Sequence, residues 1–457
     1  MSLTLFNWQQ EHAKAMLRGV TDRGFFLDTS ETGTGKTYVA AWIAEQLRIP
    51  VIVIAPKSVC TAWRRVLATL PSVVPPTVTN VEQVKRGNTP FVTATKDARE
   101  KWAFRWNLPD QVLVVFDECQ GYGGIKSDNA ILFASLGLQR KTQPGWKVLA
   151  LSATPFDSPL KCRALGFVLG WHNWTESTFY NWALRHGCYR SPWHNALEFG
   201  KGPKAQEALQ RLRDDLKPWT SRLRVSDIPE FKDGVVEPVL IDLSARELTE
   251  INEMYEGLSD VLTHESKTDN ALTIGLRARQ KSEWFKAPWL FEASVRSLEE
   301  GRSVVIFCSF NDTLDWLTEK FLAEGIPTAS IRGGQSEAER QGEIDRFQCD
   351  QATVCLCNLA SGGVGVSLHH TAASKRPRYT LITPSFKAEH LVQALGRTPR
   401  AGSLSSPLQR IVLAAGSIEE TVFDTIVRKL GNFDTLLDSD LLGTVQAGTW
   451  KQRNKKE

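Results

Sequence analysis

The stretch GFFLDTSETGTGKTYVAAWIAEQL, residues 24–47, joins a short apolar run to an apolar-periodic helix through a loop rich in glycine and threonine. A strand, a glycine-rich turn and a helix in that order make a cradle for phosphate, because glycine lets backbone N–H groups turn inward and approach an anion closely. Gly33, Thr34, Gly35 and Lys36 supply that loop. Lys36 is expected to reach the β- and γ-phosphates, and Thr37 to set its hydroxyl on a magnesium ion. The first glycine of the common G-x-x-x-x-G-K-[ST] pattern is replaced by Ser30, a small residue that fits the same space. An α/β fold with a phosphate site behind its first strand follows.

A second motif strengthens that reading. VVFDECQG, residues 114–121, puts Asp117 and Glu118 at the C-terminal end of a buried strand, where open α/β sheets gather their ligands. Asp117 is expected to hold the magnesium ion through its water shell, and Glu118 to orient and deprotonate an attacking water. ALSATP, residues 150–155, follows another strand and offers Ser152 and Thr154 as hydroxyls that sense an occupied nucleotide site or a bound strand.

Apolar, β-branched runs at 24–28, 51–55, 91–95, 112–116 and 147–151 alternate with helical stretches, the mark of a parallel sheet covered by helices. The same rhythm returns at 303–307, 353–357, 379–383 and 410–414, with VVEPVLIDL (235–243) opening it. Two domains are implied: 1–230, with a helical insert near 157–225, and 231–457, with a helical protrusion near 245–300.

Bulk properties exclude other classes. Hydrophobic content of 42% with 23% charged residues is that of a globular protein, and no apolar run reaches the ~18 residues of a membrane span. The opening MSLTLFNWQQ has no secretory pattern, and none of the eight cysteines forms a C-x-x-C pair. A reducing compartment is expected: bacterial or virus-infected host cytoplasm, or the nucleus of a eukaryote. The net charge of +4 permits nucleic-acid binding without demanding it.

In order along the chain, the phosphate loop, D-E-x-x, S-A-T and QALGRTPRAG (393–402) resemble the superfamily 2 helicases and translocases, and within them the SWI/SNF-type double-stranded DNA translocases. LFNWQQEHAKAML (5–17) is similar to that group's leading motif, with Gln9 at the glutamine that reads adenine. VIAPKSVCTAWRRVL (53–67) resembles the next block, which implies that Lys57, Ser58 and Trp63 lie near the DNA track or its support. SPLKCRALGFVLGWHNWTESTFYNW (158–182) and LKPWTSRLRVSDIPEFKDGVVEPVLIDLSARE (216–247) look like the helical segment and the crossing between motor halves. VVIFCSFNDTLDWL (304–317), IRGGQSEAERQGEIDRF (331–347), CNLASGGVGVSL (357–368) and GSIEETVFDTIVRK (416–429) resemble blocks of the second half. The likeness spans about 5–430.

It implies two tandem RecA-like domains, ATP and Mg²⁺ as cofactors, and double-stranded or branched DNA as partner. It also implies a monomeric motor, with a recruiting protein as a further partner and no membrane. Ser309, Ser361 and Gly362 fall at DNA-coupling positions, and Gln120, Gly365 and Gln393 at nucleotide-side positions. Arg397 and Arg400 are expected to reach across a closing cleft to the phosphates, since guanidinium is always charged and offers a planar fork of donors. Two departures stand out: Gln120 replaces a usual histidine, and Ser367 a usual Asn or Asp.

The rings of Trp171, Trp174, Trp182 and Trp193 lie among His172, His186, His194 and Arg190. Core packing of a small insert is the favoured reading, with base stacking the alternative and a metal site of Cys188, His186 and His194 a third. Of three functions, an ATP-driven translocase on duplex DNA is preferred to a strand-separating DNA or RNA helicase. The third is a motor or scaffold subunit of a restriction- or repair-type complex.

Overall fold

The computed structural model describes residues 3–70, 75–96, 102–191, 196–229, 231–232, 234–263, 269–360, 366–385, 387–438 and 440–445; for 255–263 and 269–274 it gives only the course of the backbone. The chain folds as two compact units, Met1–Pro229 with Gly431–Ser439 and Glu230–Leu430 with Asp440–Glu457.

In the first unit, helix α1 (Asn7–Arg23) ends at Gly24, whose φ of 67° turns the chain into strand β1 (Phe25–Asp28). Gly19 lets α1 lie flat on that strand: a Cβ there would meet the Phe26 ring at 2.2 Å. Helix α2 (Lys36–Leu47) leads to β2 (Val51–Ala55), helix α3 (Cys60–Leu67) and β3 (Thr77–Asn80). The sequence expected a sheet strand at 91–95. Instead β4 (Val92–Lys96) pairs antiparallel with β5 (Trp102–Trp106) as a separate hairpin. Its alternating burial is the pattern of a ribbon with one covered face, whereas the sheet strands are apolar runs covered on both faces.

Strands β6 (Val112–Asp117) and β7 (Trp146–Leu151) complete the centre of the sheet. A second hairpin, β8 (Cys188–Arg190) with β9 (Leu197–Phe199), interrupts the expected helical insert. The two-residue β10 (Thr220–Ser221) then returns to the sheet, so the insert ends short of 225. Strand order is β10-β1-β7-β6-β2-β3, all parallel. The segment from residue 431 fastens here, with Asn432 donating to the Asp157 carbonyl at 3.1 Å and accepting from Gln206 at 3.1 Å.

Of the described tryptophans of the insert, Trp182 is buried and Trp171 and Trp174 are half-buried. Trp182 stacks on Trp171 at 5.8 Å and on His186 at 4.2 Å, and Arg163 lies over Trp174. Trp193 and His194 lie outside the described residues. Among the described residues, no three His, Cys, Asp or Glu side chains come together as a metal site.

The second unit repeats the design with β11 (Val235–Ile241), β12 (Ser303–Cys308), β13 (Thr328–Ile331), β14 (Val354–Asn358), β15 (Arg378–Ile382) and β16 (Leu408–Ala414). Their order is β11-β16-β15-β12-β14-β13, again all parallel. Two such helix-covered parallel sheets are the tandem RecA-like arrangement that the sequence implied. Val304, Ile306, Leu314, Leu317, Phe321, Leu356, Leu381 and Val412 form one continuous core. Beside it the long helix Asp269–Glu299 buries Lys286, whose ammonium donates to both carboxylate oxygens of Glu419 at 2.7 and 2.8 Å and to the Val412 carbonyl at 3.2 Å. Ser282 and the Ala414 amide complete the carboxylate's bonds.

Removing one member of such a pair strands the other charge in the core. Lys286→Ala is therefore expected to destabilise the second unit by about 3–5 kcal/mol. Lys281→Ala, which breaks a more exposed 2.8 Å pair with Glu250, should cost at most about 1 kcal/mol. Denaturant unfolding of both variants checks this; equal losses would contradict it.

Candidate nucleotide site

Four neighbouring strands of the first sheet end in one row. Asp28 is paired with Leu151 on one side and Ser221 on the other, and Leu151 is paired in turn with Asp117. The phosphate loop, the Ser152–Thr154 turn, the acidic pair and the segment after Ser221 therefore leave the sheet at the same level. Residues far apart in sequence meet because register is fixed by the sheet.

The loop itself is shaped by glycine. Gly33 and Gly35 have φ of 88° and 82°, a left-handed conformation that other residues rarely adopt. At Gly35 a Cβ would also sit 2.6 Å from the Gln9 amide nitrogen. Gln9 is buried and donates to the Thr34 carbonyl at 2.9 Å, so the leading-motif helix and the phosphate loop are hydrogen-bonded to each other. Lys36 Nζ donates to the carbonyls of Ser30 and Glu31 at 2.9 and 3.0 Å. Thr37 is the second residue of α2, half-buried beside it.

An element invisible in the sequence closes the other side. The segment 221–225 straps the loop: Thr29 donates to the Ser221 carbonyl, Glu31 to the Leu223 carbonyl, and Leu223 to Ser30 Oγ. Glu31 binds Arg222 at 3.0 Å and accepts from the Val225 amide at 2.8 Å. A strand of two residues gives no periodicity to read, so sequence reasoning passed over it.

At the acidic pair, Trp63 is buried and its Nε1 donates to Asp117 Oδ2 at 2.7 Å. The ring thus packs against the acidic pair and holds one oxygen of Asp117. Lys57 is exposed and Ser58 half-buried in the turn after β2. Glu118 adopts φ 52°, a left-handed conformation uncommon outside glycine, and its amide is held by Asp117 Oδ1 at 2.9 Å. Gln120 donates to Glu118 Oε2 at 2.7 Å and accepts from Ser152 Oγ at 2.6 Å, and Ser152 Oγ accepts from the Thr154 amide at 3.0 Å. A continuous chain of hydrogen bonds thus runs from Glu118 to the turn at 152–154.

Burial sets the electrostatics. It pushes the Asp117 carboxyl up, helped by neighbouring Glu118 and opposed by Trp63 and Lys36, to about 6. The same burial lowers the Lys36 ammonium, against the pull of Asp28, Glu118 and Asp117.

In the second unit Ser309 and Thr383 follow directly on β12 and β15, and a residue the sequence did not flag gathers them. Glu283 accepts from the Ser309 and Phe310 amides at 2.7 and 2.9 Å and from Thr383 Oγ1 at 2.6 Å. Asn358 donates to the Ser309 carbonyl at 3.2 Å. Arg397 and Arg400 both donate to the Val366 carbonyl, at 3.5 and 3.0 Å, and Gln393 is buried on the helix that precedes them. Ser361, Gly362 and Gly365 lie outside the described residues; Ser367 offers its backbone carbonyl to Gln348.

Residues 286–402 match the helicase conserved C-terminal domain family. A protein of Acanthamoeba polyphaga mimivirus named as an ATP-dependent RNA helicase is 29% identical over 484 residues, 99% of this chain and 88% of that protein. An SNF2 domain-containing protein of Oryza sativa is 24% identical over 204 residues, 44% of this chain and 20% of that protein. Among solved structures, the Sulfolobus solfataricus SWI2/SNF2 ATPase core in complex with dsDNA is similar at 16% identity and a TM-score of 0.38, with 97% of each chain covered.

The Asp117 shift has a consequence for stability. An unfolded aspartate titrates near ~3.9. The folded state therefore binds the proton more tightly, and stability is lost as pH rises through about 4 to 6. With metal chelated, Asp117→Asn should be more stable than its parent at pH 7.5 by about 1–3 kcal/mol, with the advantage gone near pH ~4. Thermal unfolding across that range tests this; a pH-independent difference would refute it.

Proposed function

We propose that this chain, a superfamily 2 helicase-like ATPase of the SNF2 type, couples ATP hydrolysis to movement along double-stranded DNA and thereby remodels DNA junctions or protein–DNA complexes. The observation that carries the reading is the row of strand ends, with Glu118 wired through Gln120 and Ser152 to the turn at 152–154. Such a chain gives a hydrolytic carboxylate a route to a neighbouring loop. It is the hardware needed where turnover must answer to a second ligand.

Within this reading Lys36 and the loop amides bind the phosphates, Gln9 serves the adenine side, and Glu118 takes the proton of the attacking water. Thr37 and Asp117 fit a magnesium ion: they offer a hydroxyl and a carboxylate, hard oxygen ligands, and no protein cage of three ligating side chains surrounds them among the described residues. Bound there, the ion would neutralise phosphate charge. Arg397 and Arg400, each with one guanidinium nitrogen on the Val366 carbonyl, would act in hydrolysis as stabilisers of developing charge.

For the DNA track, Lys57 is an exposed cation after β2, beside Ser58. In the second unit Ser309 is held by Glu283 and Asn358. The exposed ammonium of Lys57 suits phosphate oxygens, which position a duplex without reading its sequence, while Ser309, whose Oγ is buried, would serve the track as support.

The test is ATPase rate with duplex DNA, branched DNA, single-stranded DNA and RNA, side by side and at stated salt, since phosphate contacts are salt-sensitive. Duplex and branched DNA should stimulate most. Stimulation by single strands or RNA alone would overturn the DNA reading, and no turnover without a further protein would favour a subunit of a larger complex. Glu118→Gln in the same assay should retain ATP binding while its turnover falls by about 10²–10⁴.

A further inference from the structure

One buried side chain ties together elements that the proposed nucleotide site needs; it stands in the leading motif beside Gln9, with no role assigned above. His12 sits on α1, one turn from Gln9, and is almost completely buried. Its Nδ1 is 2.7 Å from Ser221 Oγ on β10. Its Nε2 is 3.2 Å from Ser30 Oγ and 3.4 Å from Asp28 Oδ2, at the end of β1. One imidazole therefore contacts the last residue of β1, the first position of the phosphate loop and the start of the strap.

The surrounding charges give that placement its meaning. Asp28 is fully buried, and Oδ1 accepts the Ser30 amide at 2.8 Å. Burial pushes its carboxyl up, but the His12 ring and Lys36 outweigh burial and hold it below the usual range. The other charged groups around the loop are Arg222 from the strap, Glu31 on the loop itself, and Asp117 and Glu118 from the end of β6. A carboxylate at the root of a phosphate loop would repel an incoming phosphate and loosen its own turn if it lacked a partner. His12 supplies that partner from the same helix that carries Gln9.

We propose that His12 is a positioning residue for ATP binding: by bridging Asp28, Ser30 and Ser221 it locks the phosphate loop and the adenine-side helix into one rigid body. The idea rests on the ATPase reading above. Its effect falls on the ground-state fit of the nucleotide, since neither His12 nor Ser221 belongs to the Glu118–Gln120–Ser152 chain. Loss of the two hydroxyl contacts and of the 3.4 Å approach to the buried carboxylate corresponds to about a tenfold change in affinity.

The experiment compares KM and kcat for ATP, and the Kd of a fluorescent ATP analogue, in wild-type protein, His12→Leu, His12→Gln and Ser221→Ala. Wild type is measured first: failure to bind the analogue would defeat the ATPase reading itself and this inference with it. Given wild-type binding, His12→Leu should raise KM and Kd about tenfold with kcat within about threefold. His12→Gln, which keeps one amide donor in reach, should recover part of the loss. If His12→Leu does not fold, Ser221→Ala decides, because it removes one arm of the bridge and leaves the ring in place: a raised KM at constant kcat supports the bridge. Unchanged KM in the folded variants, or a fall in kcat without any change in KM, overturns the inference while leaving the ATPase reading intact.

Discussion

The nucleotide site depends on one geometric constraint: four parallel strands of the first sheet stop at a common level. The pairing of Ser221, Asp28, Leu151 and Asp117 across that row fixes where four separate loops begin. The Ser152 amide even donates to the Asp28 carbonyl at 3.0 Å, continuing the ladder one step past the strands. Shifting any of these strands by a residue would carry its loop out of hydrogen-bond reach and turn its side chains to the opposite face. The apolar runs that form the sheet are thus what make the chemistry of the loops possible.

Because the row lies inside the protein, its charges are desolvated and must answer one another. Asp28, Asp117 and Glu118 all act on Lys36, and Glu118 acts on Asp117, through a medium where Coulomb forces are strong, and burial dominates the shifts of Lys36 and Asp117. An arrangement of this kind is poised for a ligand of the right charge: fixed dipoles and paired ions need little reorganisation when a phosphate arrives. The left-handed backbone at Glu118 belongs to the same economy, since uncommon conformations persist only where the surroundings hold them, here through the Asp117 carboxylate and Gln120.

Much of this was legible in the sequence. Continuous apolar runs announced the parallel strands, and the glycine loop, the acidic pair and the Ser152–Thr154 turn were each readable from residue chemistry and from their place after a strand. Three kinds of information were not. The run at 91–95 has strand composition, and only its covered and open faces, visible in the fold, separate a hairpin from a sheet strand. Strand β10 is too short to have a period. His12, Trp63 and Glu283 act through partners 16, 54 and 26 residues or more away, so their work appears only once the chain is folded. Trp63 shows the limit well: its sequence block implies the DNA track or its support, and only the fold reveals its burial and its 2.7 Å bond to Asp117.

If hydrolysis drives movement along duplex DNA, the protein displaces a triplex-forming strand from a long duplex. The expected result is release of the third strand that requires ATP, requires duplex flanking the triplex, and is lost in Glu118→Gln. Strong DNA-stimulated ATP hydrolysis with the third strand left in place would contradict it.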